Sequence, residues 1–285
     1  MTGATGEFTD AVLAWGEPRL RDLPWRHTRD PWLVLVSEVM LQQTQVSRVI
    51  SKYLAFTARF PTPQSCAAAS LGDVLRLWQG LGYPRRARNL HLAATQIAAD
   101  GQLPTTLTGL LRLPGVGPYT ARAVLAFAFE ADVAVVDTNI ARVYSRVGGA
   151  RLTASEVQAR ADGAVPIGES WLWNQSIMEL GALLCRPASP RCGECPVATI
   201  CMWRGASTTD PAVGSAGVSG RQARFDGSDR QARGLLLAAL QHGPVSRDGL
   251  AEVMQRPDPV AERLLATLVT DDLVVIDGAL VRLPD

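Results

Sequence analysis

"LPGVGPYTARAV", residues 113–124, joins two stretches of helical spacing. Before it "TTLTGLLRL" (105–113) repeats leucine at helical intervals, and after it "YTARAVLAFAF" keeps its apolar residues on one face. Gly115 and Gly117 permit a tight turn, with Val116 between them, whose backbone can come close to another molecule. Pro118 suits the first turn of the helix that follows. The N–H groups of such a helix start have no intrahelical acceptor and are candidates to bind a phosphate. A Gly–Pro connection is also common in helical proteins of every kind, so the motif needs companions.

A second motif is "LCRPASPRCGECPVATIC" (184–201), which spaces Cys185, Cys192, Cys195 and Cys201 as C-x6-C-x2-C-x5-C. A disulfide framework is one candidate, but 285 residues of 47% hydrophobic composition can bury a core without crosslinks. A metal centre is the better reading. Structural zinc sites usually combine two C-x2-4-C knuckles, whereas this segment has one such pair between two single cysteines. Four thiolates from one continuous segment suit an iron–sulfur cluster, and on spacing alone zinc stays open. Cys66, in "PQSCAAAS", reads as a small core residue.

No signal-like segment opens the sequence, and no apolar run approaches the roughly 18 residues that cross a bilayer. The expectation is a soluble, intracellular protein, cytoplasmic and nucleoid-associated, with no membrane partner. Net charge is +1, which by itself announces no nucleic-acid binder. Its distribution says more: residues 229–285 carry six arginines against nine acids, leaving residues 1–228 net positive. Within that part "YPRRARN" (83–89) places Arg85, Arg86 and Arg88 beside Tyr83. A charge run of this kind is ordinarily a solvated helix start.

Helical patterns also cover 30–60, 71–82, 87–100 and 170–184. Residues 205–228 are rich in Gly, Ser, Ala and Thr and read as a linker. Beyond them, 229–285 offers three short helical patterns and then "LVVIDGALVRL", two strands around an Asp-Gly turn, a winged-helix pattern. Its helices are not basic, so a structural or protein-contact role is expected of it rather than DNA reading.

Two carboxylates stand out. Glu38 lies in "WLVLVSEVML", where loss of hydration would favour the protonated form of a general acid; a solvent-facing or capping Glu38 is the alternative. Asp137 follows "VAVV" and precedes "TNIARVYSR", the position of a helix N-cap, a role that also suits an anion. An acid and an anion at neutral pH are what cleavage of a sugar–base bond requires.

In order along the chain, "SEVMLQQTQV" (37–46), "GLGYPRRARNLH" (80–91), "LPGVGPYTARAV", "VVDTNIARV" (135–143), "NQSIMELGALLC" (174–185) and the four-cysteine segment resemble adenine DNA glycosylases of the MutY family. That family belongs to the helix-hairpin-helix superfamily with endonuclease III. The likeness covers roughly residues 15–204, and "SEVMLQQT" is its mark most specific to the adenine branch. The resemblance implies a 4Fe–4S cluster on Cys185, Cys192, Cys195 and Cys201. It implies removal of adenine mispaired with 8-oxoguanine or guanine in double-stranded DNA, the base being flipped into a pocket. Glu38 would protonate the adenine and Asp137 stabilise the oxocarbenium-like sugar, with Tyr119 and Asn139 organising the two carboxylates. Arg21, Trp25, Arg26, Leu41 and Glu179 match positions around the extruded adenine. Gln43 and Tyr83 would enter the stack, with Thr44 and Leu81 near the opposing guanine. The hairpin at 115–119 would hold phosphate, and Arg85, Arg86 and Arg88 could add backbone contacts. Trp25, Leu41 and Leu81 would serve equally as core residues, and Arg26 could pair with a nearby acid.

Two departures from the family pattern are visible. Pro84 replaces a tyrosine found in many relatives, and "DTN" at 137–139 replaces the commoner "DGN" while keeping Asp and Asn. Lys52 is the only lysine, and Tyr119 stands where strand-cleaving relatives carry theirs, which implies a monofunctional glycosylase.

The expected architecture is an all-α, two-lobed helix-hairpin-helix core with a small winged-helix-like α+β C-terminal domain. Residues 1–25 and 130–204 would form the cluster lobe and 26–129 the six-helix barrel lobe, with the substrate cleft between them. The linker (205–228) and the C-terminal module (229–285) follow. The enzyme would act as a monomer. Readings that compete are a thymine or uracil mismatch glycosylase of the same superfamily and a non-enzymatic DNA-binding redox sensor. A Nudix-like domain, common in relatives, is not expected in the 84 residues after Cys201, and 8-oxoguanine recognition is expected to rest on Gln43, Thr44, Leu81 and Tyr83, with 229–285 standing aside.

Overall fold

Apolar residues recur every three or four positions through most of the chain, and helices result. The structure, a computed structural model, describes residues 2–205, 209–215 and 224–285. Its helices are α1 (Thr2–Gly16), α2 (Pro31–Leu41), α3 (Val46–Arg59), α4 (Pro63–Ala67), α5 (Leu71–Trp78), α6 (Arg85–Asp100), α7 (Leu107–Leu110), α8 (Pro118–Ala128), α9 (Thr138–Val147), α10 (Ala154–Asp162) and α11 (Ser170–Glu179). The C-terminal module adds α12 (Asp229–Ala239), α13 (Leu250–Met254) and α14 (Asp258–Thr270). Its strands β1 (Val245–Ser246), β2 (Val275–Asp277) and β3 (Leu280–Arg282) form an antiparallel sheet in the order β1-β3-β2. The Asp277-Gly278 turn is the hairpin expected from sequence, and β1 is a strand that its two-residue length hid.

Two compact units emerge. The first comprises Met1–Val34, Thr105–Leu107 and Gly117–Arg221. Phe8 and Val12, one turn apart on α1, bury beside Tyr144 of α9 and Trp173 of α11, and the Phe8 ring meets Trp173 edge-on with centroids 5.6 Å apart. α1 and α11 approach so closely that a Cβ on Gly16 would stand 2.3 Å from Ser176 Cβ.

The second unit comprises Leu35–Pro104, Thr108–Val116 and Gln222–Asp285. Val49, Tyr53 and Phe56 of α3 form one buried stripe, and Phe56 packs edge-on against Phe60 and Trp78. Cys66 is fully buried, and burial pushes its thiol up to about 12, so it is the core residue expected. The C-terminal module belongs to this unit. The Gly72 N–H, in the first turn of α5, donates to the Pro284 carbonyl at 2.9 Å, and a Cβ on Gly72 would stand 2.5 Å from that oxygen.

The helical pattern of 30–60 is interrupted. α2 ends at Leu41 and α3 begins at Val46, because Gln43 adopts φ 54°, outside the helical region. Of the stretch read as a linker, 206–208 and 216–223 lie outside the described residues. Residues 209–215 pack on the first unit, where Ala212 and Ser215 are buried and Asp210 pairs with Arg146.

Candidate functional site

The break at Gln42–Gln45 and the turn at Gly80–Tyr83 are joined by one side chain. Arg86, in the first turn of α6, donates through Nη1 to the carbonyls of Val39, Met40 and Gln42 at 2.8, 3.0 and 2.7 Å. Its Nη2 donates to Thr44 Oγ1, the Leu81 carbonyl and the Gly82 carbonyl, each at 3.0 Å. The last carbonyls of a helix lack intrahelical donors, and a guanidinium offers five N–H groups in a fixed fork. Burial lowers the Arg86 guanidinium to about 10, and the guanidinium also lies 5.4 and 5.5 Å from the Trp78 and Tyr83 rings. Arg86, expected from the charge run as a backbone-phosphate contact, thus has six protein acceptors here.

Its neighbours are also engaged. Arg85 pairs with Asp271 and Arg88 with Asp272, both from the C-terminal module. Gln43 (φ 54°) and Tyr83 (φ 48°), the two residues expected to enter the base stack, both lie in the left-handed region. For a non-glycine residue that conformation costs about 1–2 kcal/mol and persists where the surroundings hold it. Thr44 Oγ1 donates to the Leu81 carbonyl at 3.3 Å, while the Leu81 side chain is buried, the core role that was its alternative.

Glu38 belongs to the same unit. It is 4% exposed on α2, within the run of buried residues from Val34 to Met40. Its alternative as a solvent-facing residue is thereby removed. Leu41, half-buried, ends that helix.

In the first unit Asp137 caps α9. Its Oδ1 accepts the Ile140 N–H at 2.7 Å and its Oδ2 accepts Asn139 Nδ2 at 2.8 Å. Asn139 is held in turn by Arg142, whose Nη2 donates to Asn139 Oδ1 at 2.7 Å and to the Gly181 carbonyl at 2.8 Å. Gly181 itself has to be a glycine, since a Cβ there would stand 2.7 Å from Asn139 Cβ. A relay Arg142–Asn139–Asp137 thus fixes the carboxylate on a helix N-terminus, where negative charge is favoured.

Of the five residues matched to an adenine pocket, three form a network in this unit. Glu179, fully buried, receives Arg21 Nε on both oxygens at 2.9 Å and Arg26 Nη2 on Oε1 at 2.8 Å. Arg26 Nε also donates to Gln175 Oε1 at 2.8 Å. A buried acid with two guanidinium partners has its charge compensated. Trp25 is buried beside them in sequence at 8% exposure. Gln175 was not legible as a partner.

At the hairpin Gly115 (φ 76°) must be glycine, because a Cβ would stand 2.7 Å from Asn89 Cβ. Gly117 is different. It is the extended N-cap of α8 (φ −95°, ψ 179°), a conformation open to any residue, and nothing lies within 4 Å of its Cβ direction. Val116 is buried and its N–H donates to the Leu113 carbonyl at 3.1 Å, while Tyr119 is half-buried in the first turn of α8.

The four cysteines follow a single π-helical turn, Leu180–Leu184, which delivers the Cys185 N–H to the Leu180 carbonyl at 2.8 Å. Cys185, Cys192, Cys195 and Cys201 all line one pocket with Val143, Leu180 and Trp203. Arg146, 2% exposed, reaches Cys185 Sγ at 3.5 Å, stacks 4.4 Å from the Trp203 ring and pairs with Asp210 at 2.5 Å. The Arg204 N–H points to Cys201 Sγ at 3.4 Å. Burial pushes the Cys195 thiol up to about 11, and the other three cysteines add to that rise. Among the described residues no three or more His, Cys, Asp or Glu side chains are gathered as the ligands of a single ion. Burial raises the Cys185 thiol, and Arg146 and Arg142, four apart on α9, work against that rise.

Residues 36–166 match the HhH-GPD superfamily of base excision DNA repair proteins. An adenine DNA glycosylase of Mycolicibacterium smegmatis is 44% identical over 273 residues, 92% of this chain and 91% of that one. The adenine DNA glycosylase of Mycobacterium tuberculosis is 42% identical over 280 residues, 94% and 90% of the two chains. Among solved structures, a thermostable thymine-DNA glycosylase superposes with a TM-score of 0.67 at 28% identity, over 72% of this chain and 98% of its own. The fold places the chain among helix-hairpin-helix base excision proteins. Within them, it belongs to the adenine DNA glycosylase family.

Proposed function

We propose that this DNA glycosylase acts, as a monomer, on double-stranded DNA and hydrolyses the N-glycosidic bond of adenine mispaired with 8-oxoguanine or guanine. The observation that carries the reading is the 44% identity to an adenine DNA glycosylase across nine-tenths of both chains. The solved thymine-DNA glycosylase stands further off, at 28%.

In this reading the buried Glu38 carboxyl gives its proton to an adenine ring nitrogen. The glycosidic bond breaks with its electron pair passing to the base, and positive charge develops on the sugar. Asp137, positioned by Asn139 and the Ile140 N–H, offsets that charge. Water then adds to the sugar carbon and its proton passes to a carboxylate. The α8 N-terminus with Gly117 at its cap, open in front, suits a DNA phosphate.

Cys185, Cys192, Cys195 and Cys201 would hold a 4Fe–4S cluster. Support comes from four thiols lining one pocket, together with Arg146 and the Arg204 N–H directed at sulfur. Each thiolate of such a cluster binds its own iron, so the ligands stand further apart than around zinc. When bound, the group would crosslink residues 185–201 through four metal–sulfur bonds.

Purified protein tested in single turnover on duplexes with adenine opposite 8-oxoguanine, adenine opposite guanine and thymine opposite guanine decides the matter. Adenine release from the first two is expected. Glu38→Gln and Asp137→Asn should each lose about two decades or more in rate while still binding DNA. Thymine release alone would favour the mismatch thymine reading, and intact DNA throughout would favour a non-enzymatic sensor.

A further inference from the structure

The C-terminal module, expected to stand aside, touches the segment that would enter the DNA stack. Arg230, at the start of α12, donates through Nη1 to the Tyr83 hydroxyl at 3.2 Å, with its guanidinium carbon 6.0 Å from the Tyr83 ring and 5.3 Å from the Phe225 ring. Asp271, at the end of α14, is buried and takes both Arg85 and Arg233. Asp272 pairs with Arg88. The chain end closes on α5 through the Gly72–Pro284 hydrogen bond. Apart from Gly72, the partners on the other side, Tyr83, Arg85 and Arg88, lie within residues 80–88, between α5 and the first turn of α6.

Resting on the adenine-glycosylase reading, we propose that residues 229–285 preform the Tyr83 wedge. Arg230 is a positioning residue that orders the Tyr83 ring, and Asp271 and Asp272 fix the first turn of α6 through Arg85 and Arg88. The backbone supports this. Tyr83 sits at φ 48°, a conformation that needs its surroundings to hold it, and Arg86 fixes the carbonyls just before it while its guanidinium lies 5.5 Å from the ring. Arg230 adds a second guanidinium by the ring and the hydrogen bond to its hydroxyl. An exposed ion pair contributes little, so the Arg88–Asp272 pair is secondary; the Asp271 side chain, 5% exposed between two guanidiniums, is the anchor. A wedge ordered before DNA arrives saves the cost of immobilising it on binding. The same pairing gives the module's acidic balance a use: it turns Arg85 and Arg88 toward protein rather than phosphate.

The test uses the full chain and a duplex in which a hydrolysis-resistant fluorinated 2′-deoxyadenosine analogue faces 8-oxoguanine. Affinity is measured over a range of salt for wild type, Arg230→Met, Arg230→Lys, Tyr83→Ala and the Arg230→Met/Tyr83→Ala double variant. Arg230→Met is expected to weaken binding about two- to tenfold, the cost of ordering one side chain. The salt slope should stay unchanged, Arg230→Lys should recover part of the loss, and the penalty should vanish when Tyr83 is already alanine. Wild-type affinity in Arg230→Met overturns the proposal. So does a salt slope reduced by about one, which would make Arg230 a phosphate ligand. An equal penalty with and without the Tyr83 ring overturns it as well. Should Arg230→Met not fold, Arg230→Lys decides alone: weaker binding at constant slope is expected, and unchanged binding refutes. If the function reading fails instead, wild-type protein releases no adenine; failure of this inference leaves wild type active and the Arg230 variants like it.

Discussion

Two stretches of irregular backbone in this protein are each organised by one arginine, half-buried in one case and buried in the other, and they are held by different means. In the second unit Arg86 makes every contact to the chain itself, drawing the end of α2, the Gln42–Gln45 break and the Gly80–Tyr83 turn together through five carbonyls and a hydroxyl. In the first unit Arg146 divides its donors among Asp210, the Arg186 and Pro187 carbonyls and the Cys185 sulfur. One loop pair is closed by protein hydrogen bonds and stores strain at Gln43 and Tyr83. The other has thiols whose burial, raising Cys185 and Cys195, opposes the charged form that a metal ligand needs. The first kind of loop is closed by the protein's own groups, and the second leaves four thiols for the cluster proposed above.

The largest expected effect breaks the second arrangement. Cys195→Ser should cost about 4 kcal/mol or more, the range reached when a structural metal is lost, and should abolish the iron-dependent visible absorbance of anaerobically prepared protein. Iron analysis beside thermal unfolding checks it; full stability with stoichiometric zinc in the wild type would return the site to the zinc reading.

Next is Arg86→Met. Removing the guanidinium takes the Arg86 donor from the Val39 and Met40 carbonyls at the end of α2, each a cost of about 1–3 kcal/mol, while the Gly82 and Leu81 carbonyls keep Trp78 Nε1 and Thr44 Oγ1, so a net loss near 3 kcal/mol is expected. Denaturant unfolding measures it. Arg86→Lys should recover little, because one ammonium cannot reach both backbone segments in the fork geometry. A near-neutral Arg86→Met would mean that water replaces the arginine and that the loops are not protein-held.

How much of this was legible follows the same division. Spacing and the quoted motifs carried the helices, the hairpin, the Asp-Gly wing and the cysteine set, because each is a local pattern whose physics acts within a few residues. The break at Gln43 was missed since nothing in "MLQQTQV" disfavours helix; Arg86, forty-three residues later, supplies the donors that stabilise the interruption. The protein partners of Arg86 were not legible because three arginines in "PRRAR" look alike until their surroundings are known. Asp271 and Asp272 are likewise bland in sequence, and so is Arg230. Arg26 illustrates the reverse case: the modest alternative, a pair with a nearby acid, describes its partnership with Glu179.

A smaller effect tests the relay in the first unit. Arg142→Lys keeps a charge but loses the fork that holds both Asn139 and the Gly181 carbonyl. Adenine excision is expected to slow about tenfold or more, with DNA affinity retained, because the Asp137 carboxylate is misdirected rather than removed. A single-turnover rate equal to wild type would show that Asn139 needs no such support.

The smallest effect concerns acid. Burial opposes the charge of Asp271, but hydrogen bonds from Arg85 and Arg233 outweigh it, and the carboxyl sits below its ordinary value of 3.8. A folded pKa below the unfolded one means that the unfolded chain takes up the proton first as pH falls. The stabilisation from Asp271 is therefore fully present above about 3.8 and is lost as pH drops from there through the folded value. Asp210 behaves alike in the other unit: burial works against it, Arg146 and the Ala212 N–H lower it, and it contributes to the same acid limb. Asp271→Asn should reduce stability at neutral pH and flatten part of that limb, whereas the Asp210 part remains. Thermal unfolding followed from about pH 6 to about pH 3 reads the difference. If the variant and wild type lose stability in parallel, the Arg85–Asp271–Arg233 cluster is not coupled to folding, and the anchoring of the α6 start has to be sought in the apolar contacts of α14 instead.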